Sequence, residues 1–87
     1  MGPVEAQLRA ARQRIITGWC QHQLHSGKAV CSTAAFGPNG RILARDLLRD
    51  TIGDRFITSW NDNPTRTKDH VIAAFGLAIA KAKRLGV

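Results

Sequence analysis

The stretch TKDHVIAAFGLAIAKAKRLG, residues 67–86, has the clearest periodicity in the chain. Val71, Phe75, Ala78, Ala82 and Leu85 recur at helical spacing, and Ile72 and Ile79 widen them into one apolar face. Thr67 is placed to cap the first turn, where Asp69 also suits the positive end of the helix dipole. Lys81, Lys83 and Arg84 gather where cations favour the other end, and Gly86 follows them. A long helix from residue 66 or 67 to residue 84 is predicted, and its seam is where the rest of the chain must pack.

Two further helices are predicted upstream. Over residues 4–17, Val4, Leu8, Ala11 and Ile15 keep one face, Pro3 suits an early helical position, and Gly18 offers a left-handed cap. Over residues 42–52, Leu43, Leu47, Leu48 and Ile52 form an apolar stripe and Gly53 supplies the stop. Between these helices no long helical period appears. Ser26-Gly27-Lys28 reads as a turn, with residues 19–24 before it and 29–32 after it, so a short β-hairpin or an irregular segment is expected there. Residues 31–36 equally suit a short helical turn, and Gly37-Pro38-Asn39-Gly40 is a break. Residues 54–65 read as a connector whose Phe56, Ile57 and Trp60 are expected to anchor the core, as is Trp19. The fold class is therefore mainly α: a three-helix small domain spanning residues 1–87, with a hairpin or irregular segment between helices 1 and 2.

Composition narrows the function classes. The chain has 87 residues, 13 cations against 6 acids and a net charge of +7. Nine of the cations are arginines, the better fork for phosphates and carboxylates. No apolar run approaches the ~20 residues needed to span a bilayer, no secretory leader pattern opens the chain, and Met1-Gly2-Pro3 is not followed by the hydroxyl residue that myristoylation requires. A cytoplasmic protein with no membrane partner is expected, with Cys20 and Cys31 reduced and buried.

Three groups of residues carry potential chemistry. The first is the loop Trp60-Asn61-Asp62-Asn63-Pro64-Thr65-Arg66-Thr67. Every residue in it has a structural use: a core plug, Asx-turns, a proline-set turn and a helix cap. The competing reading turns Trp60, Asn61, Asp62, Arg66 and Thr67 toward a ligand near a helix N-terminus. The second is Cys20, His22, His25 and Cys31, four possible zinc ligands at a spacing that matches no common finger or ribbon; buried thiols and solvent-facing histidines are the better expectation, and no metal or other cofactor is predicted. The third is Arg41, Arg45 and Arg49, one ridge along the second helix, beside an acidic ridge of Asp46 and Asp50. They read either as a solvated ladder of ion pairs or as phosphate contacts. Nothing in the sequence groups Cys20, His70 and Asp62 into a catalytic triad, no phosphate-cradling glycine loop is present, and no enzyme is expected.

The residues Gly18-Trp19-Cys20-Gln21, Val30-Cys31 with Ala34-Ala35, Trp60-Asn61-Asp62 with Pro64, Arg66 and Thr67, and then Val71 form a pattern over residues 8–82. In this the chain resembles an uncharacterised family of short domains found in actinobacteria and their phages. His22 and Thr33 stand where that family usually has glycine. The resemblance implies a compact helical fold and a phage or prophage origin, and it brings no activity. The reading is a small basic non-enzymatic binding module, expected to act as a protein-interaction or phage-type accessory factor. The alternative is a nucleic-acid-binding accessory protein holding phosphates through arginines.

Overall fold

The computed structural model describes residues 1–38, 40 and 42–87. Among these, the order is helix α1 (Pro3–Thr17), strands β1 (His25–Ser26) and β2 (Ala29–Val30), a 3-10 turn (Ala34–Phe36), then α2 (Ile42–Ile52), α3 (Ile57–Asn61) and α4 (Lys68–Leu85). The mainly helical class and the hairpin between the first two helices match the expectation from sequence. The short α3, inside the expected connector, is an addition.

Helix α4 is the spine. Its capping is reciprocal: Thr67 Oγ1 accepts from His70 N at 3.2 Å, and His70 Nδ1 accepts from Thr67 N at 3.2 Å. At the far end Gly86 takes the left-handed conformation, φ 74°, and its N–H closes on the Ala82 and Lys83 carbonyls. Val71, Phe75, Ala78 and Ala82 are fully buried against Leu8, Ala11 and Ile15 of α1 and Ala44 and Leu48 of α2. Phe36 of the 3-10 turn lies 5.6 Å from Phe75, ring to ring. The two chain ends meet, with Val4 N donating to Val87 O at 2.7 Å.

Several packing expectations are corrected. Leu43 and Leu85 are exposed. On α2 the buried stripe runs through Ala44 and Leu48, because a methyl lets the helix sit close to its neighbours; this rotates Leu43 outward and leaves Leu47 half-buried. Leu85 lies in the last turn of α4, beyond the packed seam, and Val87 packs against the core there instead. Phe56, expected in the core, is 64% exposed, while Ile57 and Trp60 beside it are buried. Trp19 is half-buried rather than a deep anchor.

Gly18 is not a left-handed cap. Its backbone is extended, φ −177°, and its value lies in proximity: a Cβ there would meet Ala29 Cα at 3.0 Å. That approach lets residues 18–20 run beside β2, with Val30 N donating to Gly18 O at 3.0 Å and Cys20 N to Val30 O at 3.1 Å. The hairpin pairs His25 with Val30 and Ser26 with Ala29 only, shorter than the flanking residues suggested. His22, at φ 67°, bends the chain out of register before the strand can extend.

Candidate functional site

The tryptophan loop folds inward. Trp60 is buried, and the Arg66 guanidinium lies 4.2 Å from its ring centroid while Arg66 Nε donates to the Trp60 carbonyl at 3.0 Å. Asn61 is fully buried and is the hub. Its Oδ1 accepts from Trp19 Nε1 at 2.7 Å, Ser32 N at 2.9 Å and Ser32 Oγ at 2.6 Å. Its Nδ2 donates to Cys20 O and to Asp62 Oδ1, each at 3.0 Å. Gln21 Nε2 reaches back to the carbonyls of Asn61 and Asn63 at 3.0 and 2.9 Å, and Asn63 Oδ1 accepts from Thr65 N and Oγ1 in an Asx-turn. Trp60, Asn61, Asp62, Arg66 and Thr67 thus direct their hydrogen bonds at the chain itself. No sequence signal pairs Asn61 with Ser32, because the two meet only through the tertiary fold.

Asp62 Oδ1 accepts from His22 N at 2.9 Å. Burial works to raise the Asp62 carboxyl, but the His22 and Asn61 hydrogen bonds and the nearby His22 imidazole outweigh it and hold the pKa below the ordinary carboxylate value. The Cys20 thiol moves the other way: burial first, then the neighbouring Cys31 and Asp62, push it up, so it stays protonated. Its hydrogen bonds go to the carbonyls of Gln23 and Leu24 at 3.4 and 3.9 Å, not to His70, which is engaged at the cap of α4.

The arginines behave differently. Arg45 and Arg49 of α2 line one cleft of about 260 Å³, and Arg55 from the α2–α3 connector joins them there. Thr33, Thr58 and Ser59 add hydroxyls, with the Thr33 and Thr58 Oγ1 atoms 3.1 Å apart. No carboxylate among the described residues lines this cleft. Asp46, on the same helix, is engaged by Arg49 Nη1 at 2.9 Å, and Asp50 is taken by Lys81 of α4. Arg41, the third member of the predicted ridge, lies outside the described residues. Sequence reasoning missed Arg55, because a connector between helices shows no period that would place it beside α2.

A model of a family of unknown function matches residues 1–81, nearly the whole chain. The chain belongs to the DUF6197 family. No curated protein and no solved structure matches it.

Within this DUF6197 chain, Cys20, His22, His25 and Cys31 do not assemble. Among the described residues no three of His, Cys, Asp and Glu gather as metal ligands, and both cysteines are free thiols. Cys31 is buried, its Sγ accepting from Ala34 N at 3.4 Å, while His22 and His25 face solvent. Also among the described residues, no helix of the DUF6197 chain is long and apolar enough to cross a membrane. The left-handed backbone at His22 is a physical reason for the glycine that the resemblance expects there. Thr33 is right-handed helical, φ −73°, so its backbone needs no glycine, and its hydroxyl serves the arginine cleft.

Proposed function

We propose that this protein is a small basic, non-enzymatic binding module whose partner is nucleic acid, held through its phosphates. The observation that carries the reading is the convergence of Arg45, Arg49 and Arg55 on one hydroxyl-lined cleft without a carboxylate among its described lining residues. Arginine forks match phosphate oxygens two at a time, and threonine and serine hydroxyls complete such a cradle. The tryptophan loop supports the non-enzymatic half of the proposal: its polar groups are engaged by one another and by residues 19–22 and Ser32 rather than turned toward a substrate. Such a module suits a cytoplasmic accessory factor of the phage type that the sequence resemblance implies.

Binding to random-sequence duplex and single-stranded DNA, measured across a salt series, tests the proposal. Affinity must fall steeply as salt rises, and Arg49→Gln and Arg55→Gln must each flatten the log–log slope by about 0.7–0.9. Absent binding, or binding indifferent to salt, overturns it.

A protein partner is the second reading, favoured by one observation. Ile42 (76% exposed) and Leu43 edge an open apolar hollow of about 500 Å³ with Pro3, Val4, Gly86 and Val87. A protein captured from the natural host by this chain, and lost when Leu43 is changed to Asp, would favour this surface over the arginine cleft.

A further inference from the structure

We infer that the arginine cleft and the hollow beside it form one groove for a single strand of nucleic acid, with a phosphate among Arg45, Arg49 and Arg55 and a base against Phe56. The inference rests on the nucleic-acid reading above and adds strand type and a base contact to it.

Phe56 is the first ground. A phenylalanine in a domain this small belongs in the core, yet this one lines the rim of the arginine cleft, 64% exposed. Its backbone is fixed, because Phe56 N donates to Asp54 Oδ1 at 2.9 Å. The Arg55 guanidinium lies 5.9 Å from its ring centroid. An exposed aromatic ring beside an arginine offers a stacking face and a phosphate contact within one nucleotide's reach. A duplex hides its base faces in the stack, so only an unpaired base can use that ring.

Continuity of the groove is the second ground. Arg45 and Thr33 line the arginine cleft and also an adjoining hollow of about 400 Å³ that extends to Leu24, His25 and Pro38. A strand crossing Phe56 and the arginines therefore has somewhere to continue, over the exposed Leu24 and His25. Arg45 stands at the junction. Its Nη2 donates to Gly37 O at 3.3 Å, and its ring contact is Phe36 at 5.6 Å, but its buried Nε has no partner among the described residues. Arg12 Nε, which lines neither hollow, shares that state, so the orphaned donor adds to the argument without carrying it.

Fluorescence anisotropy with a labelled oligothymidine of about a dozen nucleotides, against a duplex of the same length, tests the groove. The single strand should bind at least about tenfold more tightly. Phe56→Ala should weaken single-strand binding at least about fivefold with an unchanged salt slope, and Phe56→Trp should preserve it. Arg55→Gln should lower affinity and flatten the single-strand slope by about 0.7. Because Phe56 is exposed, Phe56→Ala should melt like the parent, which separates lost binding from lost folding. Equal affinity for the two DNAs, or parental binding by Phe56→Ala, overturns the single-strand groove; the phosphate reading then survives if binding stays steeply salt-dependent. No binding to either DNA overturns both.

Discussion

Replacing Asn61 with alanine removes a side chain to which two separate segments, residues 19–20 and Ser32, are hydrogen-bonded, and its cost follows from what is stranded. Ser32 N and Ser32 Oγ both donate to Asn61 Oδ1, and Ser32 is fully buried, so neither donor can turn to water. Each buried donor left unsatisfied costs about 1–3 kcal/mol. Trp19 Nε1 and the Cys20 carbonyl also lose a partner, but both residues are half-buried and water can replace part of the loss. The expected destabilisation is about 3–5 kcal/mol, a large share of the roughly 4–13 kcal/mol available to a chain of 87 residues. Urea unfolding followed by tryptophan fluorescence measures it, with an unchanged m-value confirming that stability alone has moved. Asn61→Asp sharpens the test. It retains the acceptor but turns a carboxylate oxygen toward Cys20 O and Asp62 Oδ1, so the new carboxyl is pushed up and the variant should regain stability as pH falls. Adding Asp62→Asn should recover part of the loss at neutral pH, because it removes the negative charge beside the new carboxylate. An Asn61→Ala protein within about 1 kcal/mol of the parent would refute the reasoning.

Three further outcomes are expected. Trp60→Ala should destabilise by about 3–5 kcal/mol, because it empties a core position and strips Arg66 of its ring contact; a thermal melt at the parental temperature would contradict its burial. Asp62, with a folded pKa below its unfolded value, contributes stability that is fully present above about pH 4 and is lost as pH falls through the folded pKa. Asp62→Asn should therefore lessen the acid dependence of the melting temperature while costing under about 1 kcal/mol at neutral pH. His22→Gly should stabilise the fold by about 0.5 kcal/mol, the relief of a left-handed backbone (about 1–2) less the flexibility of glycine (about 0.5–1), and His22→Val should destabilise it, both read by chemical denaturation.

Much of the fold was legible because the helix ends are written in local chemistry. Thr67, Asp69 and Gly86 frame α4, Gly53 follows α2, and the apolar period between such marks identifies the buried face of α4 through Val71, Phe75, Ala78 and Ala82. Periodicity says less about how far a helix is rotated when a small residue competes with a large one, which is why Ala44 rather than Leu43 reached the core. Chain direction into the core is not periodic at all. Phe56 and Ile57 are neighbours in a connector, and only the start of α3 sends one inward and the other out. The candidate site was half-readable for the same reason: Arg45 and Arg49 share a helix face, whereas Arg55 joins them only through the turn after Gly53. The loop motif was visible as a set of turn-forming residues, but its hub, Asn61, is defined by Ser32 and Trp19, distant in the chain and silent in any local pattern.

The span of the Asn61 network has a kinetic consequence. Apart from the bond to neighbouring Asp62, the hydrogen bonds of Asn61 join residues separated by 29 to 42 positions, so closing the network requires both ends of long chain loops to be already in place. Until then no one of these bonds repays the ordering of the others. The network is therefore expected to close late, once helix packing has brought residues 19–20, 32 and 61 together. Residues of this kind act as a latch: weakening them hastens unfolding and leaves the folding rate nearly unchanged. The Ser32 amide, sealed inside the latch, should exchange with solvent only when the molecule opens as a whole, and so reports global stability from a loop.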